Sequence, residues 1–166
     1  VLLVDADLRL PKVHKVFKLD ASPGLTNFLI ADKNPNRIHI YIIEGVNNLN
    51  LLASGSLPPN PSELLRSSRM KKLISELQKE YDYVLFDSSP VLGTADVSIL
   101  SSNVDGILLV LGAGEVDGQA AQKAKESLEK VKAHILGLVL NKVKPEPGGY
   151  YGKYYYHYQS DEKEEL

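Results

Sequence analysis

The chain alternates all-apolar runs with amphipathic helical segments, and this alternation constrains its fold more strongly than any other feature. The strongest apolar runs are residues 1–4, 83–86, 106–111 and 135–140. Runs without alternating polar residues are typical of strands that are buried on both faces, as in parallel sheets. Because helices usually connect parallel strands, the pattern predicts an α/β fold with a mostly parallel sheet flanked by helices.

The segments between these runs carry helix and strand signals of their own. Residues 38–43 and 49–53 are two shorter strand candidates, separated by the turn-rich segment EGVNN. Asn60 suits an N-cap, Pro61 suits the first helical position and Glu63 completes a capping box, so a helix is predicted to begin there. Apolar residues then recur at helical spacing and predict one amphipathic helix, and they are Met70, Leu73, Ile74 and Leu77.

Two aspartates mark the start of further predicted helices. Asp96 is placed to cap a short helix with its side chain, and Asp117 precedes a longer helix. The longer helix is predicted to have one apolar face, made by Ala121, Ala124, Leu128 and Val131.

The C-terminal part of the chain differs in composition from the rest. Prolines and glycines follow Lys144, and six of the nine tyrosines lie between Tyr150 and Tyr158. We therefore predict a domain over residues 1–147 and a flexible tyrosine-rich tail over residues 148–166. An edge strand and an RNA-stacking surface are the alternatives for the tail, but its glycines weaken a strand and its acidic end would repel phosphates.

Polar side chains follow three of the apolar runs. Asp5, Asp87 and Asn141 each come directly after a predicted strand. Ligands of open parallel sheets bind at the carboxyl ends of the strands, so these residues are candidates for a site at one edge of the sheet. For Asp87 alone, a turn-forming aspartate is the commoner explanation.

Asp5 and Asp7 form a sharper pattern. In an extended chain, carboxylates two residues apart face the same side, and they repel unless a cation or a positive group such as Arg9 is near. Such oxygen ligands suit Mg²⁺, which usually takes one or two carboxylates together with phosphates and water. An exposed acidic turn after a strand explains the same pair equally well.

Composition and charge exclude several classes of function. The 166 residues contain no cysteine, which excludes disulfides, thiol chemistry and cysteine-metal sites. The net charge of −2 favours neither nucleic acid nor an anionic membrane surface as a partner. The chain begins inside an apolar run and its only methionine is Met70, so we expect it to be a piece of a longer protein.

Four segments together resemble the bacterial tyrosine kinases, the autokinases that control capsule and exopolysaccharide synthesis. VLLVDADLR resembles their second, A-prime Walker motif, and VLFDSSPV resembles their Walker B motif. ASGSLPPNPSELL, residues 53–65, is similar to a segment typical of the family, and a tyrosine-rich C-terminus is a further mark of it. The resemblance covers the whole chain in the expected order.

The resemblance implies a P-loop NTPase-like fold that uses ATP and Mg²⁺ to transfer a phosphoryl group to tyrosine. Carried over by motif, Asp87 would help to hold Mg²⁺. Asp5 would share the metal site or act as a base toward the tyrosine hydroxyl, and Asp7 would support it. Asn141 lies where relatives contact the adenine ring, although an asparagine at a strand end is equally a turn residue.

For the tail, the resemblance implies phosphoacceptor tyrosines that are modified by a neighbouring subunit, and hence a homo-oligomer. Each phosphate adds about −1.5 to −2 charges at neutral pH, so accumulating phosphates could release a subunit interface. The resemblance also implies a membrane polysaccharide co-polymerase component, fused or separate, a tyrosine phosphatase, and a cytoplasmic location at the inner face of the membrane. The predicted acceptors are Tyr150, Tyr151, Tyr154, Tyr155, Tyr156 and Tyr158.

Two features depart from the family pattern. The Walker B motif of the family usually continues Asp-Ser-Pro-Pro or Asp-Thr-Pro-Pro, whereas Asp87 is followed by Ser88, Ser89 and Pro90. In addition, no G-x-x-x-x-G-K-[ST] phosphate loop occurs in the sequence. We therefore expect the P-loop strand and its loop to be missing at the N-terminus, and these residues alone to bind ATP poorly and to be inactive.

Two alternative functions stay open at this point. Partitioning and cell-division ATPases share the two aspartate motifs and hydrolyse ATP as a switch without phosphorylating tyrosine. A non-catalytic regulatory module, whose tail is phosphorylated by an intact kinase, is also compatible with the sequence. The tyrosine-rich tail favours the kinase over the ATPase switch. Partitioning and cell-division ATPases tend to end in amphipathic helices, and no such helix is visible in this sequence.

Overall fold

Parallel strand pairing dominates the protein, whose computed structural model describes residues 1–31 and 38–144. The described strands are β1 (Leu2–Asp5), β2 (Tyr41–Ile42), β3 (Asn50–Leu52), β4 (Val84–Asp87), β5 (Ile107–Gly112) and β6 (Ile135–Asn141). The first sheet has the order β2-β3-β1-β4, and the second pairs β5 with β6. All pairs are parallel except β2 with β3, which confirms the predicted mostly parallel sheet. The predicted tail and its six tyrosines lie outside the described residues.

Helices connect these strands, as the alternating pattern predicts. They are α1 (Val13–Val16), α2 (Leu25–Ile30), α3 (Pro61–Arg66), α4 (Ser68–Glu80), α5 (Asp96–Ser101) and α6 (Gly118–Lys130). In α6, Ala124 and Leu128 are buried as expected, and Asp117 caps the helix by accepting the N–H of Ala120 at 2.7 Å. Val131 lies just beyond the end of this helix and is exposed.

The single helix predicted to begin at Asn60 is in fact two helices. The chain turns out of the helix at Ser67, whose backbone is extended (ψ 151°), and the Ser67 Oγ then accepts the N–H of Met70 at 3.1 Å. The capping box predicted at Asn60 does not form, because the Asn60 amide donates to the Glu63 carboxylate at 3.1 Å and caps no backbone group. Pro61 does occupy the first helical position of α3.

The core of the first sheet forms where α4 packs on β1. The four apolar positions predicted for this helix are buried, and they lie in one cluster with Leu2 and Val4 of β1 and Leu52 of β3. Burial of each such aliphatic side chain contributes roughly 1.5–3 kcal/mol to stability. This packing fixes β1, and therefore fixes the aspartate at its carboxyl end.

A cleft separates β4 from β5. Within the described residues β4 pairs only with β1, and β5 pairs only with β6, so one backbone edge of each strand is free. The cleft has a volume of about 690 Å³ and is lined by both strands and by residues of α5 and α6. The apolar runs that form β4 and β5 predict strands that are buried on both faces. Three of their side chains are nevertheless more than half exposed, namely Leu85, Leu108 and Val110.

Candidate functional site

The carboxyl ends of β1 and β4 bring two of the predicted site residues together. Asp5 and Asp87 are aligned partners in the parallel register of these strands. The two chain segments stay joined beyond them, because the N–H of Ala6 donates to the carbonyl oxygen of Asp87 at 2.8 Å. Residues that are far apart in sequence therefore form one acidic edge.

Asp5 is fully buried and only partly satisfied. One carboxylate oxygen, Oδ2, accepts the N–H of Val13 at 3.1 Å and lies 3.9 Å from the His14 Nδ1. The other, Oδ1, has no hydrogen-bond partner among the described residues. A buried carboxylate oxygen without a partner is costly, and in native structures such groups are rare and are accounted for by strain, by a catalytic role, or by a water or an ion.

Burial also changes the acidity of the two strand-end aspartates. It raises the pKa of Asp5 from 3.8 to about 6, since the charged form is poorly solvated and the nearby Asp87 charge adds to the effect, while the Val13 hydrogen bond opposes it. The pKa of Asp87 is also raised, first by burial and then by the charge of Asp7. Because the charged forms of both carboxylates are destabilised, a nearby cation would stabilise them, so the site favours the binding of a cation.

Asp7 lies in the turn that follows β1. Its Oδ1 accepts the N–H of Arg9 at 3.2 Å and the N–H of Leu10 at 3.1 Å, which fixes the turn. The half-buried carboxylate therefore has a structural role in addition to its charge.

The Arg9 side chain forms an ion pair that the sequence does not indicate. Its Nε lies 2.6 Å from the Asp96 Oδ2 and its Nη2 lies 3.2 Å from the Asp96 Oδ1. The prediction that Asp96 caps its own helix is therefore wrong, because the carboxylate turns away to Arg9 and no side chain caps α5. Because Arg9 and Asp96 are 87 positions apart, no local sequence pattern indicates that they form a pair.

Asn141 lies apart from the three aspartates. It is the last residue of β6, pairs with Gly112 in the second sheet and is exposed. Its Oδ1 accepts the N–H of Lys142 at 2.8 Å, which is the bond of a turn residue. No hydrogen bond joins it to Asp5, Asp7 or Asp87, so its predicted contact with adenine stays a prediction.

The acidic edge fits a magnesium ion that is completed by phosphate and water. Over the described ranges, no group of three or more His, Cys, Asp or Glu side chains could hold a metal. Mg²⁺ needs only one or two carboxylates when substrate phosphates and waters fill the other positions. Asp5, with its unpartnered Oδ1, and Asp87 supply such a pair.

None of the helices in the part of the chain that the structure describes combines the length and the apolar character needed to cross a bilayer.

The chain is similar to several proteins of known name, although no protein-family model matches it. It is 42% identical over 154 residues to the tyrosine-protein kinase YwqD of Bacillus subtilis (strain 168), which covers 93% of this chain and 64% of that protein. It is 35% identical over 156 residues to the tyrosine-protein kinase CpsD of Streptococcus agalactiae, covering 92% of this chain and 67% of that protein. This chain thus spans less than two thirds of YwqD.

The fold has solved counterparts as well. The chimerical protein CapA2B2 matches with a TM-score of 0.81 at 32% sequence identity. The match covers 87% of this chain and 63% of that chain.

Proposed function

Since the chain belongs to the family of the bacterial tyrosine-protein kinases, we propose that it forms the catalytic part of an ATP-dependent protein-tyrosine kinase. The observation that carries the proposal is the pairing of Asp5 with Asp87 at one edge of a parallel sheet, where one buried carboxylate oxygen of Asp5 has no hydrogen-bond partner in the described part of the chain. Phosphoryl transfer depends on positioning and charge neutralisation more than on covalent chemistry, and such an acidic edge serves both.

Asp5 and Asp87 would hold Mg²⁺, which, when bound, neutralises charge on the nucleotide phosphates. Asp87 is the more exposed of the two, so a phosphate-bound ion can reach it, whereas its strand partner Asp5 is fully buried. With its pKa near 6, Asp5 is also able to accept the proton of a tyrosine hydroxyl when it does not ligate the ion. Asp7 would support the site by fixing the turn after β1 and by adding negative charge near Asp87.

We further propose that the phosphate loop and its strand come from polypeptide outside these 166 residues and that the strand lies between β4 and β5. The free edges of both strands and the exposed apolar side chains between them support this, because parallel strands are normally paired and covered on both faces. A parallel strand in the cleft would end at the same edge of the sheet as Asp87, which lines the cleft. Its loop would then face the acidic site.

The tail is proposed as the substrate of a second copy of the protein. Tyr150, Tyr151, Tyr154, Tyr155, Tyr156 and Tyr158 would be the acceptors, in a homo-oligomer whose subunits exchange tails. Phosphorylation would regulate capsule or exopolysaccharide synthesis together with a membrane co-polymerase component, at the inner face of the membrane, and a tyrosine phosphatase would reverse it. Asn141 would contact the adenine ring of ATP.

The test uses the protein expressed from its complete gene, incubated with ATP and Mg²⁺ and then analysed for phosphotyrosine by mass spectrometry. Asp87→Asn and Asp5→Asn should abolish tail phosphorylation while the fold is kept, because each removes one of the two metal ligands. Asp82→Asn is the matched control, since Asp82 is an exposed aspartate outside the site.

Two outcomes would contradict the proposal. ATP hydrolysis without phosphotyrosine would indicate an ATPase switch of the partitioning type. Phosphotyrosine that appears only after another kinase is added would indicate a regulatory module.

Replacing a single acceptor tyrosine by Phe should have little effect, because its neighbours can substitute for it.

A further inference from the structure

Asp96 is a buried carboxylate whose bonds are all made outside its own helix. It is 1% exposed, and each of its oxygens has two partners. The Oδ1 accepts from the Ser62 Oγ at 2.6 Å and from the Arg9 Nη2 at 3.2 Å, and the Oδ2 accepts from the Arg9 Nε at 2.6 Å and from the Ser89 Oγ at 3.2 Å. Such complete satisfaction keeps a buried carboxylate charged.

The acidity of Asp96 agrees with this geometry. Burial by itself would raise its pKa, but the hydrogen bonds from Arg9, Ser62 and Ser89 outweigh burial and hold the pKa below its ordinary value. Asp96 thus contrasts with Asp5, which is equally buried but has a raised pKa and one oxygen with no partner within residues 1–31 and 38–144.

Arg9 is a permanently charged cation next to the acidic edge, and the charge of Asp7 acts on it. Its own N–H already donates to the Asp7 Oδ1 at 3.2 Å, so its backbone lies in contact with one of the site carboxylates. A guanidinium on a short tether has an effective concentration in the millimolar range or above, which is enough to compete with a weakly bound divalent cation. Its bidentate pairing with Asp96 directs it elsewhere.

We propose that Asp96 is a positioning residue that holds the Arg9 guanidinium away from Asp5, Asp7 and Asp87, so that these carboxylates stay available to a divalent cation. The inference rests on the proposed function, because it takes the acidic edge as a metal site. Ser62 and Ser89 complete the arrangement by occupying the remaining lone pairs of Asp96, which ties its orientation to the start of α3 and to the segment after β4.

The experiment measures Mn²⁺ binding, with Mn²⁺ as the probe for a hard divalent cation, by the electron paramagnetic resonance signal of the free ion. The protein expressed from its complete gene is compared with its Asp96→Asn, Arg9→Gln and Arg9→Gln/Asp96→Asn variants, and circular dichroism checks their folding. Asp96→Asn should weaken Mn²⁺ binding about two- to sixfold, the range that a competing exposed ion pair can impose. The double variant should recover the wild-type affinity, because the released arginine is gone.

Arg9→Gln keeps the inference testable if Asp96→Asn does not fold. If Asp96 acts by holding Arg9 away, this variant should bind Mn²⁺ as tightly as the wild type or more tightly. Weaker binding by Arg9→Gln, or by the double variant, would mean that the ion pair only shapes the site, and would overturn the inference. Asp82→Asn, which removes the same charge at an exposed position, is the control for long-range electrostatics.

An Asp5→Asn variant, added to the same Mn²⁺ titration, tests the metal site itself separately. If wild-type binding of Mn²⁺ is absent or does not depend on Asp5, the proposed metal site is wrong and the role of Asp96 is wrong with it. If wild-type binding depends on Asp5 but Asp96→Asn binds equally well, only the role of Asp96 is wrong.

Discussion

At the scale of single residues, two buried aspartates differ in their hydrogen bonding, and their pKa values are shifted in opposite directions. Among the described residues, Asp96 has four hydrogen-bond donors and a lowered pKa, whereas Asp5 has one backbone donor and an oxygen without a partner. The first arrangement stabilises the negative charge in the folded chain. The second destabilises it, and carboxylates in such environments cluster at functional sites.

The raised pKa of Asp5 has a consequence for stability. Because the pKa is about 6 in the folded chain against 3.8 ordinarily, the folded state binds the proton more tightly than the unfolded state does. Stability should therefore fall as pH rises from about 4 to about 7, by an amount on the order of 2–3 kcal/mol from this group alone. Asp5→Asn removes the effect and should raise the melting temperature at pH 8 relative to wild type, but much less at pH 4.

Melting curves between pH 4 and pH 8 in metal-free buffer would measure the effect. Asp82→Asn should follow the wild type at every pH, since Asp82 is exposed. Curves for Asp5→Asn and wild type that stay parallel across the range would contradict the assigned burial of the charge. Addition of Mg²⁺ at pH 8 should stabilise the wild type and leave Asp5→Asn unchanged.

The sequence predicts some of these residues and not others, for a physical reason. Asp5 and Asp87 follow strands, and the carboxyl ends of parallel strands meet, so their proximity can be predicted from position alone. Asp96 precedes a helix and looks like a cap, because capping is decided locally. Its actual partner depends on packing between α3, α5 and the turn after β1, which only the folded chain defines.

At the scale of elements, the break between α3 and α4 allows the two helices to point in different directions and to make different contacts. The apolar residues of α4 are packed on the first sheet, while the start of α3 brings Ser62 to Asp96. A continuous helix through Ser67 would not allow the two orientations together. The capping serine is therefore expected to stabilise the junction.

Ser67→Ala should destabilise the protein by about 0.5–2 kcal/mol, because it removes the side-chain acceptor of the Met70 N–H. Urea unfolding followed by circular dichroism measures the change. Ser68→Ala is the matched control, since Ser68 is the exposed first residue of α4, and alanine there should be neutral or slightly stabilising. Equal effects of the two substitutions would mean that Ser67 is not the cap.

Element type could be predicted here, but element boundaries could not. Apolar periodicity identifies Met70, Leu73, Ile74 and Leu77 as a buried helical face, and they are buried. The same periodicity gives no sign of a stop at Ser67, because a serine inside an apolar pattern fits either a helical surface position or a cap. The 38–43 strand candidate likewise shortens to Tyr41–Ile42.

At the scale of the whole molecule, the gap between the two sheets departs most from an ordinary α/β domain. The runs that form β4 and β5 have the composition of central strands, yet each has an unpaired edge in the described structure. Exposed apolar surface of this kind marks a place where another segment packs. The proposed strand between them would restore both the pairing and the burial that the composition predicts.

Leu108→Asp distinguishes a cleft that stays open from one that is filled. Leu108 is 57% exposed in this chain, so an aspartate there should cost the 166-residue protein less than about 1 kcal/mol. In the protein expressed from its complete gene, the same position would be buried against the inserted strand, and an unpaired charge there should cost about 3 kcal/mol or more. Leu57→Asp, at an exposed position outside the cleft, should cost little in both proteins.

Urea unfolding of the four variants and their two unsubstituted parents gives the comparison, because it yields a free-energy change for each substitution in each length of chain. A penalty at Leu108 that grows with the longer chain, while the Leu57 penalty does not, is the result expected if a strand fills the cleft. Equal and small penalties at both positions in both proteins would mean that the cleft stays open. In that case the phosphate loop would have to approach Asp87 from another direction, since a strand between β4 and β5 is what would carry the loop to this edge of the sheet.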